Sequence, residues 1–250
     1  MNLIILLDED RLDNGRYRLG DHRAEHIRNV LKRGAGERVA VGILNGLRGE
    51  AMITCAGGDY IELEPGALEP VPAPKPEIDI ICALPRPQTL KKVLLTSAMM
   101  GVRALYLVRA NRVEKSYFHS PLLKPERQRT YLIEGLSQGK LTRLPRVSVY
   151  EKFRPFVEDT LESVMPPTDA STLRLLPDVE SAGSLNNVFD TRASDVMVAI
   201  GPEGGWVPFE VELMESRGFR RFALGRSVLR VETALAACLA QIELLTRMPR

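Results

Sequence analysis

The chain has 250 residues, 44% of them hydrophobic, with a mean hydropathy of −0.09 and a formal charge of +2. That describes a globular protein with an adequate core, long enough for one large domain or two modest ones. No apolar run approaches the roughly 18 uncharged residues that a membrane-spanning helix requires, so membrane residence is not expected.

The opening stretch Met1-Asn-Leu-Ile-Ile-Leu-Leu-Asp8 meets acid after a few apolar residues and carries no basic leader. It reads as a first strand and not as a secretion signal. His22 to Lys32 then places Ile27, Val30 and Leu31 on a short helical face, with Gly34 and Gly36 to end it. His22 and His26 stand one turn apart, which is also a metal-ligand spacing. No acidic or cysteine cluster completes a site beside them, so no metal is expected and they read as helix-surface histidines. Arg38 to Ile43 and Gly49 to Thr54 flank Asn45-Gly46, the strongest short hairpin signal. Tyr60 to Glu64 alternates cleanly and predicts another strand, which makes this region a small β-rich unit with one helix.

Between Pro65 and Pro76, five of twelve residues are proline, too many for a helix or a central strand. A semi-rigid extended spacer is expected, with the domain boundary near residue 72 and units at 1–72 and 73–250.

The second unit opens on the apolar run Ile78 to Leu84. Thr89 to Met100 presents Leu90, Val93, Leu94 and Ala98 on one helical face, and Ala104 to Val108 is the next strand. Strand, helix and strand with a short return make a βαβ unit, hence an α/β class with a parallel sheet and a right-handed crossover. The turn Pro85-Arg86-Pro87-Gln88 has no glycine where a dinucleotide fold would carry its phosphate loop, and Gly-Lys-Ser/Thr occurs nowhere. Both absences argue against nucleotide folds. A helix is predicted at 125–139 with Tyr131, Leu132 and Leu136 inward, ending at Gly139, and a strand at 172–176. The polar stretches 163–171 and 178–195 read as surface loops with a short helix.

The small net charge hides an uneven distribution. Residues 71–165 hold 16 Lys and Arg against 9 Asp and Glu, and the nine basic residues of the first seventy all fall between Arg11 and Arg48. Two such clusters suit a polyanionic partner, or else are solvated faces. Cys55, Cys82 and Cys238 share no close spacing and come as an odd number. They imply a reducing compartment, no zinc ribbon, and thiols that are buried and inert.

Candidate chemistry concentrates at 196–234. The apolar run Val196 to Ile200 breaks into Gly201-Pro202-Glu203-Gly204-Gly205-Trp206 and reopens as an amphipathic stretch at Pro208. A buried parallel strand delivers a ligand loop to the edge of an α/β sheet in this way, although such a turn is also a common tight connection. Glu203 is the one ionisable group in that turn, placed either to face a positive ligand centre or to accept backbone hydrogen bonds. Leu229-Arg230-Val231-Glu232-Thr233-Ala234 then sets charges among apolar residues ahead of an alanine-rich helix at 233–246, a setting charges seldom enter unless paired or used.

At these residues the chain resembles the RsmE family of ribosomal RNA methyltransferases, within the SPOUT superfamily. The resemblance is carried by Gly201 to Gly205, by Leu224-Gly225 and by Leu229 to Ala234, and it extends to Ala83-Leu-Pro-Arg-Pro87, Arg112-Val-Glu-Lys-Ser116 and the amino-terminal region. It implies a SPOUT-type parallel sheet with a carboxyl-terminal trefoil knot, preceded by a PUA-like β-barrel that helps to hold RNA. Arg23, Arg28, Lys32 and Arg33 would be its phosphate contacts. The implied cofactor is S-adenosylmethionine, in a pocket lined by Leu176 and Pro177, by Ile200, Gly201, Glu203, Gly204 and Gly205, and by Leu224, Gly225, Leu229, Arg230 and Thr233. The implied reaction is methylation of N3 of a uridine in small-subunit (16S) ribosomal RNA, free or in an assembled 30S subunit. A cytoplasmic homodimer is implied, with helix 233–246 as a contact surface. Two positions depart from the family pattern. Ser137-Gln138 and Lys140 stand where relatives carry a Glu-Gln pair followed by arginine, and Leu176-Pro177 where relatives often have His-Pro.

Uracil N3 bears a proton and is a poor nucleophile until it leaves, so such a reaction needs a base or an electrostatic aid. Arg230 would stabilise the uracil anion or a flanking phosphate, and Glu232 would orient Arg230 or receive the proton. Equally, the pair would serve as a buried structural bridge. Two other classes compete: a non-catalytic RNA-binding protein using the barrel and the basic middle, and a nucleotide-dependent enzyme with phosphate on the glycine loop. Against the latter, Trp206 and Val207 intervene before the helix and no lysine follows the glycines.

Overall fold

The computed structural model describes residues 3–165 and 172–248, so most of the loop expected at 163–171 lies outside the described residues. The first unit contains β1 (Ile4–Leu6), β2 (Tyr17–Leu19), α1 (His22–Glu25, continued by a π turn to Val30), β3 (Arg38–Ile43), β4 (Arg48–Ala56) and β5 (Ile61–Glu69). Its sheet order is β1-β3-β4-β5-β2, with β1 parallel to β3 and the other pairs antiparallel. Alternation turns Val39, Val41, Ala51, Ile53, Ile61 and Leu63 inward onto Ile27, which closes a half-barrel over one apolar core. The Asn45-Gly46 hairpin forms as expected, with Asn45 at φ 57.

Three local expectations are revised. The helix reverses at Lys32, φ 53, ahead of the glycines. The imidazole of His26 is half-buried, its Nε2 enclosed without a partner among the described residues, so it is not a surface histidine. The proline-rich spacer is strand as far as Glu69. Beyond Leu63, β5 pairs with β4 alone, so the missing N–H of Pro65 falls on an open side, and a register shift between Gly49 and Ala51 absorbs the irregularity.

The second unit comprises β6 (Glu77–Ala83), α2 (Pro87–Met99), β7 (Ala104–Val108), α3 (Pro125–Gly139), β8 (Arg146–Tyr150), α4 (Phe153–Pro155), α5 (Leu161–Val164), β9 (Thr172–Pro177), α6 (Leu185–Val188), β10 (Asp195–Ile200), α7 (Pro208–Ser216), β11 (Phe219–Phe222) and α8 (Val231–Arg247). All pairs in the sheet β11-β9-β10-β6-β7-β8 are parallel. The inner strands β6 and β10 are apolar from Ile80 to Ala83 and from Val196 to Ile200 because both faces are covered there. Val93, Leu94, Leu136, Leu235 and Ile242 cover one face from α2, α3 and α8, while Phe156, Leu161 and Met214 cover the other. Helices α2 and α3 cross closely because Gly135 and Gly139 carry no Cβ. A methyl group at either position would run into the backbone of Leu95 or Met99.

The barrel is fastened to this sheet by backbone bonds. The Leu3 amide donates to the Ser137 carbonyl (2.9 Å), and the Ser137 hydroxyl donates to the Leu3 carbonyl (2.6 Å). The hairpin turn joins in, with the Asn45 amide on the Thr142 carbonyl, the Thr142 hydroxyl on the Gly46 carbonyl, both 2.7 Å, and Arg48 on the Lys140 carbonyl, 2.7 Å. Ser137 and Lys140, the residues that depart from the family pattern, therefore lie at this junction. Nearby, Arg103 spans the strand starts, bonding Asp79 (2.8 and 2.9 Å), Glu77 and Asp195 (2.6 Å each).

Candidate active site

In a parallel sheet the loops leaving the strand ends gather on one side, and ligands bind there. Here β9, β10 and β11 end at Pro177, Ile200 and Phe222, and a cleft of about 740 Å³ opens beyond them. Pro177 to Glu180 form one wall, Gly201 to Trp206 another, and residues from Leu224 to Val231 the third. Its volume falls within the range of small-molecule sites.

The glycine loop takes its shape from close contacts. The Gly205 amide donates to the Pro202 carbonyl (2.8 Å), and Gly205 sits at φ 73, in the left-handed region that disfavours a side chain. A Cβ on Gly201 would lie 3.1 Å from the Trp206 indole nitrogen, and one on Gly204 3.0 Å from Arg112 Cδ. Arg112, on the loop after β7, donates to the Gly204 carbonyl. Trp206 packs on Phe153 (centroids 5.4 Å apart), and its Nε1 is buried without a partner among the described residues. Glu210, 3% exposed, accepts from the Asn111 amide (2.7 Å) and the Val207 amide (3.0 Å), locking the loop after β7 to the start of α7. Sequence reading missed Glu210. Its signal was a carboxylate in the first turn of the helix opening at Pro208. The outer wall is tied by the Asp178–Arg221 ion pair (2.7 Å) and by Gln241 donating to the Leu224 carbonyl (2.9 Å).

Of the residues that the resemblance implies for the cofactor pocket, the cleft brings together Pro177, Ile200, Gly201, Glu203, Gly204, Gly205, Leu224, Gly225 and Leu229. Three expected lining residues lie elsewhere. Leu176 is fully buried in the core against α4, α5 and α7, because successive side chains of β9 point to opposite faces. Arg230 and Thr233 are exposed at the start of α8 and do not line the cleft.

The expected Arg230–Glu232 pair gives way to a different one, since Glu232 bonds Lys92 of α2 at 3.0 Å. Burial pushes the Glu232 carboxyl up, but its own backbone amide and the Lys92 ammonium outweigh this and hold it below the usual range. Glu203 lies with its Oε1 3.9 Å from Nε of Arg86, the N-cap residue of α2. Five carboxylates on the cleft, Asp178, Glu180, Glu203, Glu212 and Glu215, outnumber Arg112 and Arg221 and favour a net-positive ligand. Burial pushes the Cys82 and Cys238 thiols up to about 12, in keeping with inert sulfur, while Cys55 is half-buried.

In the barrel, three of the four candidate phosphate contacts are engaged internally. The Arg23 guanidinium, 11% exposed, bonds Asp10 (2.7 Å), Asp21 and the Ile5 carbonyl. Arg33 pairs with Glu37, and Arg28 donates to the Gly58 carbonyl, whereas Lys32 is exposed. On the cleft side, Arg112, Lys115, Lys124 and Arg127 are exposed on the segment after β7 and make no ion pair among the described residues. Among those residues no group of three or more His, Cys, Asp or Glu could hold a metal, and no helix is long and apolar enough to cross a membrane.

Residues 72–243 match the family model described as an RNA methyltransferase domain. The ribosomal RNA small subunit methyltransferase E of Treponema pallidum (strain Nichols) is 32% identical over 248 residues, covering 96% of this chain and 90% of that protein. The ribosomal RNA small subunit methyltransferase E 1 of Borreliella burgdorferi is 24% identical over 229 residues, 88% of each. A crystal structure of a ribosomal RNA small subunit methyltransferase E from Neisseria gonorrhoeae, bound to S-adenosyl methionine, superposes with a TM-score of 0.76. It is 21% identical and covers 97% of this chain and 98% of that one. The barrel followed by a parallel sheet is thus a fold shared along the whole chain.

Proposed function

The chain belongs to the RNA methyltransferase family, in its RsmE branch, and on that premise we propose that it methylates N3 of a uridine in small-subunit (16S) ribosomal RNA with S-adenosylmethionine. The observation that carries this reading is the meeting of residues 201–206 and 224–231 in one cleft. Backbone groups of Gly201 to Gly205, Leu224 and Gly225 would hold the nucleoside, with Pro177, Ile200 and Leu229 flanking it. The acidic surplus suits a donor whose sulfonium makes it net-positive. When bound, the donor supplies a methyl carbon open to in-line displacement, and positioning of the base against it supplies much of the rate.

Of the roles considered for Glu232, its bond to Lys92 favours the structural one, a strut between α8 and α2. Arg230, exposed beside the cleft, is left to meet the RNA backbone or the uracil anion. The chain that follows β7, with Arg112, Lys115, Lys124 and Arg127, extends that cationic surface, and Lys32 adds to it from the barrel. The substrate is the RNA free or within the 30S subunit, met in the cytoplasm. We further propose the boundary at residue 72, a trefoil knot formed by the carboxyl-terminal turns, and a homodimer joined through α8, on which Leu244 is exposed, as is Met248 just beyond its end. Calorimetry with S-adenosylmethionine tests the cleft. Mass spectrometry of ribosomal RNA tests the product: one N3-methyluridine should disappear in cells lacking the protein and return on complementation. A full complement of N3-methyluridine without the protein would refute the assignment.

A further inference from the structure

Two groups at the mouth of the cleft are left over once the donor and the strut are assigned. Arg86 leaves β6 at the start of α2, and Glu203 stands on the glycine loop of the cleft wall. Their closest approach, 3.9 Å, is too long for a hydrogen bond, and both side chains are about half exposed, 54% and 43%. Nε of Arg86 makes a long contact to the Thr89 hydroxyl (3.4 Å), and its two terminal nitrogens have no partner among the described residues. Glu203 therefore keeps its acceptor capacity and Arg86 its donors, side by side at the edge of the donor site. Glu232 is placed otherwise, 16% exposed and hydrogen-bonded to Lys92.

We propose that the Arg86–Glu203 pair reads the imide edge of the target uracil, and that Glu203 takes the N3 proton. This rests on the function proposed above. Uracil presents a carbonyl oxygen, N3–H and a second carbonyl oxygen in a row. A carboxylate accepts from N3–H, while a guanidinium donates to a neighbouring carbonyl oxygen, where the charge of the uracil anion accumulates. Cytosine offers an unprotonated N3, which gives the Glu203 carboxylate no donor and no proton to remove at that atom and disfavours it. In the reacting step the N3–H bond breaks toward a Glu203 carboxylate oxygen, and the N3 electron pair forms the bond to the methyl carbon. The carbon–sulfur bond breaks with its pair on sulfur, leaving a neutral thioether. Glu203 then returns its proton to water, so the positive charge brought in as sulfonium leaves as that proton.

The test is Glu203→Gln, assayed by calorimetry for the donor and by single-turnover methylation of small-subunit ribosomal RNA between pH 6 and 9.5. Because Glu203 is one of five carboxylates on the cleft, donor affinity should weaken no more than about tenfold, while the single-turnover rate at saturating donor near neutrality falls on the order of 100-fold or more. The logarithm of the variant's rate should climb with pH at a slope near one, as solvent replaces the lost base, while the wild type stays flat. RNA carrying 5-fluorouridine, whose N3 is more acidic, should recover much of the loss, and Arg86→Gln should slow the reaction without introducing the slope. Glu203→Asp keeps a carboxylate and should keep the flat profile, which guards against a loop merely disturbed by the amide. A Glu203→Gln rate within about threefold of wild type would overturn the assignment while leaving the methyltransferase reading intact. So would a deficit equal at every pH and unmoved by 5-fluorouridine, or a sloped profile in Glu203→Asp. A wild-type chain that binds no donor would overturn both readings.

Discussion

Arg103→Met gives a measurable test of what holds the sheet that carries the site. Arg103 is 18% exposed and makes two bonds to Asp79, which is fully buried, and one each to Glu77 and Asp195. The hydrogen bonds that Arg103 donates to Asp79 in particular hold the guanidinium protonated, against the pull of burial. Methionine keeps much of the packing volume and removes the charge, which strands a carboxylate inside the protein. Breaking a buried pair from one side costs about 3–5 kcal/mol. The lower end, roughly 3 kcal/mol, applies because Glu77 and Asp195 are partly exposed and Arg143 stays on Glu77. For a chain of this size that lowers Tm by roughly 6–12 °C, read by calorimetric melting and by urea titration. The pH dependence identifies the cause. In the wild type, Arg143 first, then Arg103 against burial, depress the Glu77 carboxyl below its usual value. Its contribution is present above about 4.5 and is lost as pH falls through the folded value. In the variant Glu77 has lost one of the two arginines that depress it, so its share of the deficit against wild type should shrink as pH falls from 8 toward 4. A deficit below about 1 kcal/mol, or one constant across that range, would refute this account.

Gly205→Ala forces a side chain into φ 73 and should cost about 1–2 kcal/mol, part of it read as weaker donor binding by calorimetry, whereas Gly58→Ala, with open space around it, should be nearly neutral. Ser137→Ala leaves the Leu3 carbonyl without its side-chain donor and should lower unfolding stability by about 1 kcal/mol in a urea titration. Glu232→Gln should leave turnover at saturating substrate unchanged if the carboxylate is only a strut to Lys92, while Arg230→Ala should reduce it; full turnover in Arg230→Ala would exclude a catalytic part for that arginine. Replacing Lys115, Lys124 and Arg127 together by glutamine should flatten the salt dependence of RNA affinity by about two units of slope, read by filter binding from 50 to 200 mM salt, with donor binding unchanged.

The elements legible in the sequence are those whose local pattern and tertiary setting agree. Val196 to Ile200 is apolar throughout because β10 lies between β9 and β6 with both faces covered, and the glycines after it mark where backbone must turn closely. Strand β6, helix α2 and strand β7 follow the same logic. The unanticipated strands are the sheet margins. Arg146 to Tyr150 pairs with β7 alone and is half exposed, and Phe219-Arg-Arg-Phe222 pairs with β9 alone, so neither has the continuous apolar run of an inner strand. Strand β2, three residues long, is too short to display a period.

Site positions divide on the same principle, with chain distance as the deciding variable. The cleft's glycines are encoded by the backbone they must adopt, a local requirement, and so sequence finds them. The partner of a charge is a global property. Glu232 lies two residues from Arg230 yet bonds Lys92, 140 positions away, because a helix turns residues i and i+2 to different sides while α2 packs directly against α8. Arg23 looks like a phosphate contact until Asp10 and Asp21 are found holding it beneath the surface. Arg86 and Glu203 stand 117 positions apart in the chain and meet only because parallel β6 and β10 are neighbours whose exits open side by side. Glu203 stands out as the one ionisable group of its turn and Arg86 within the segment 83–87, but nothing in either neighbourhood pairs the two. Their chemistry is set by the adjacency of two strand ends, so any reading of the reacting base has to begin from the order of strands in the sheet.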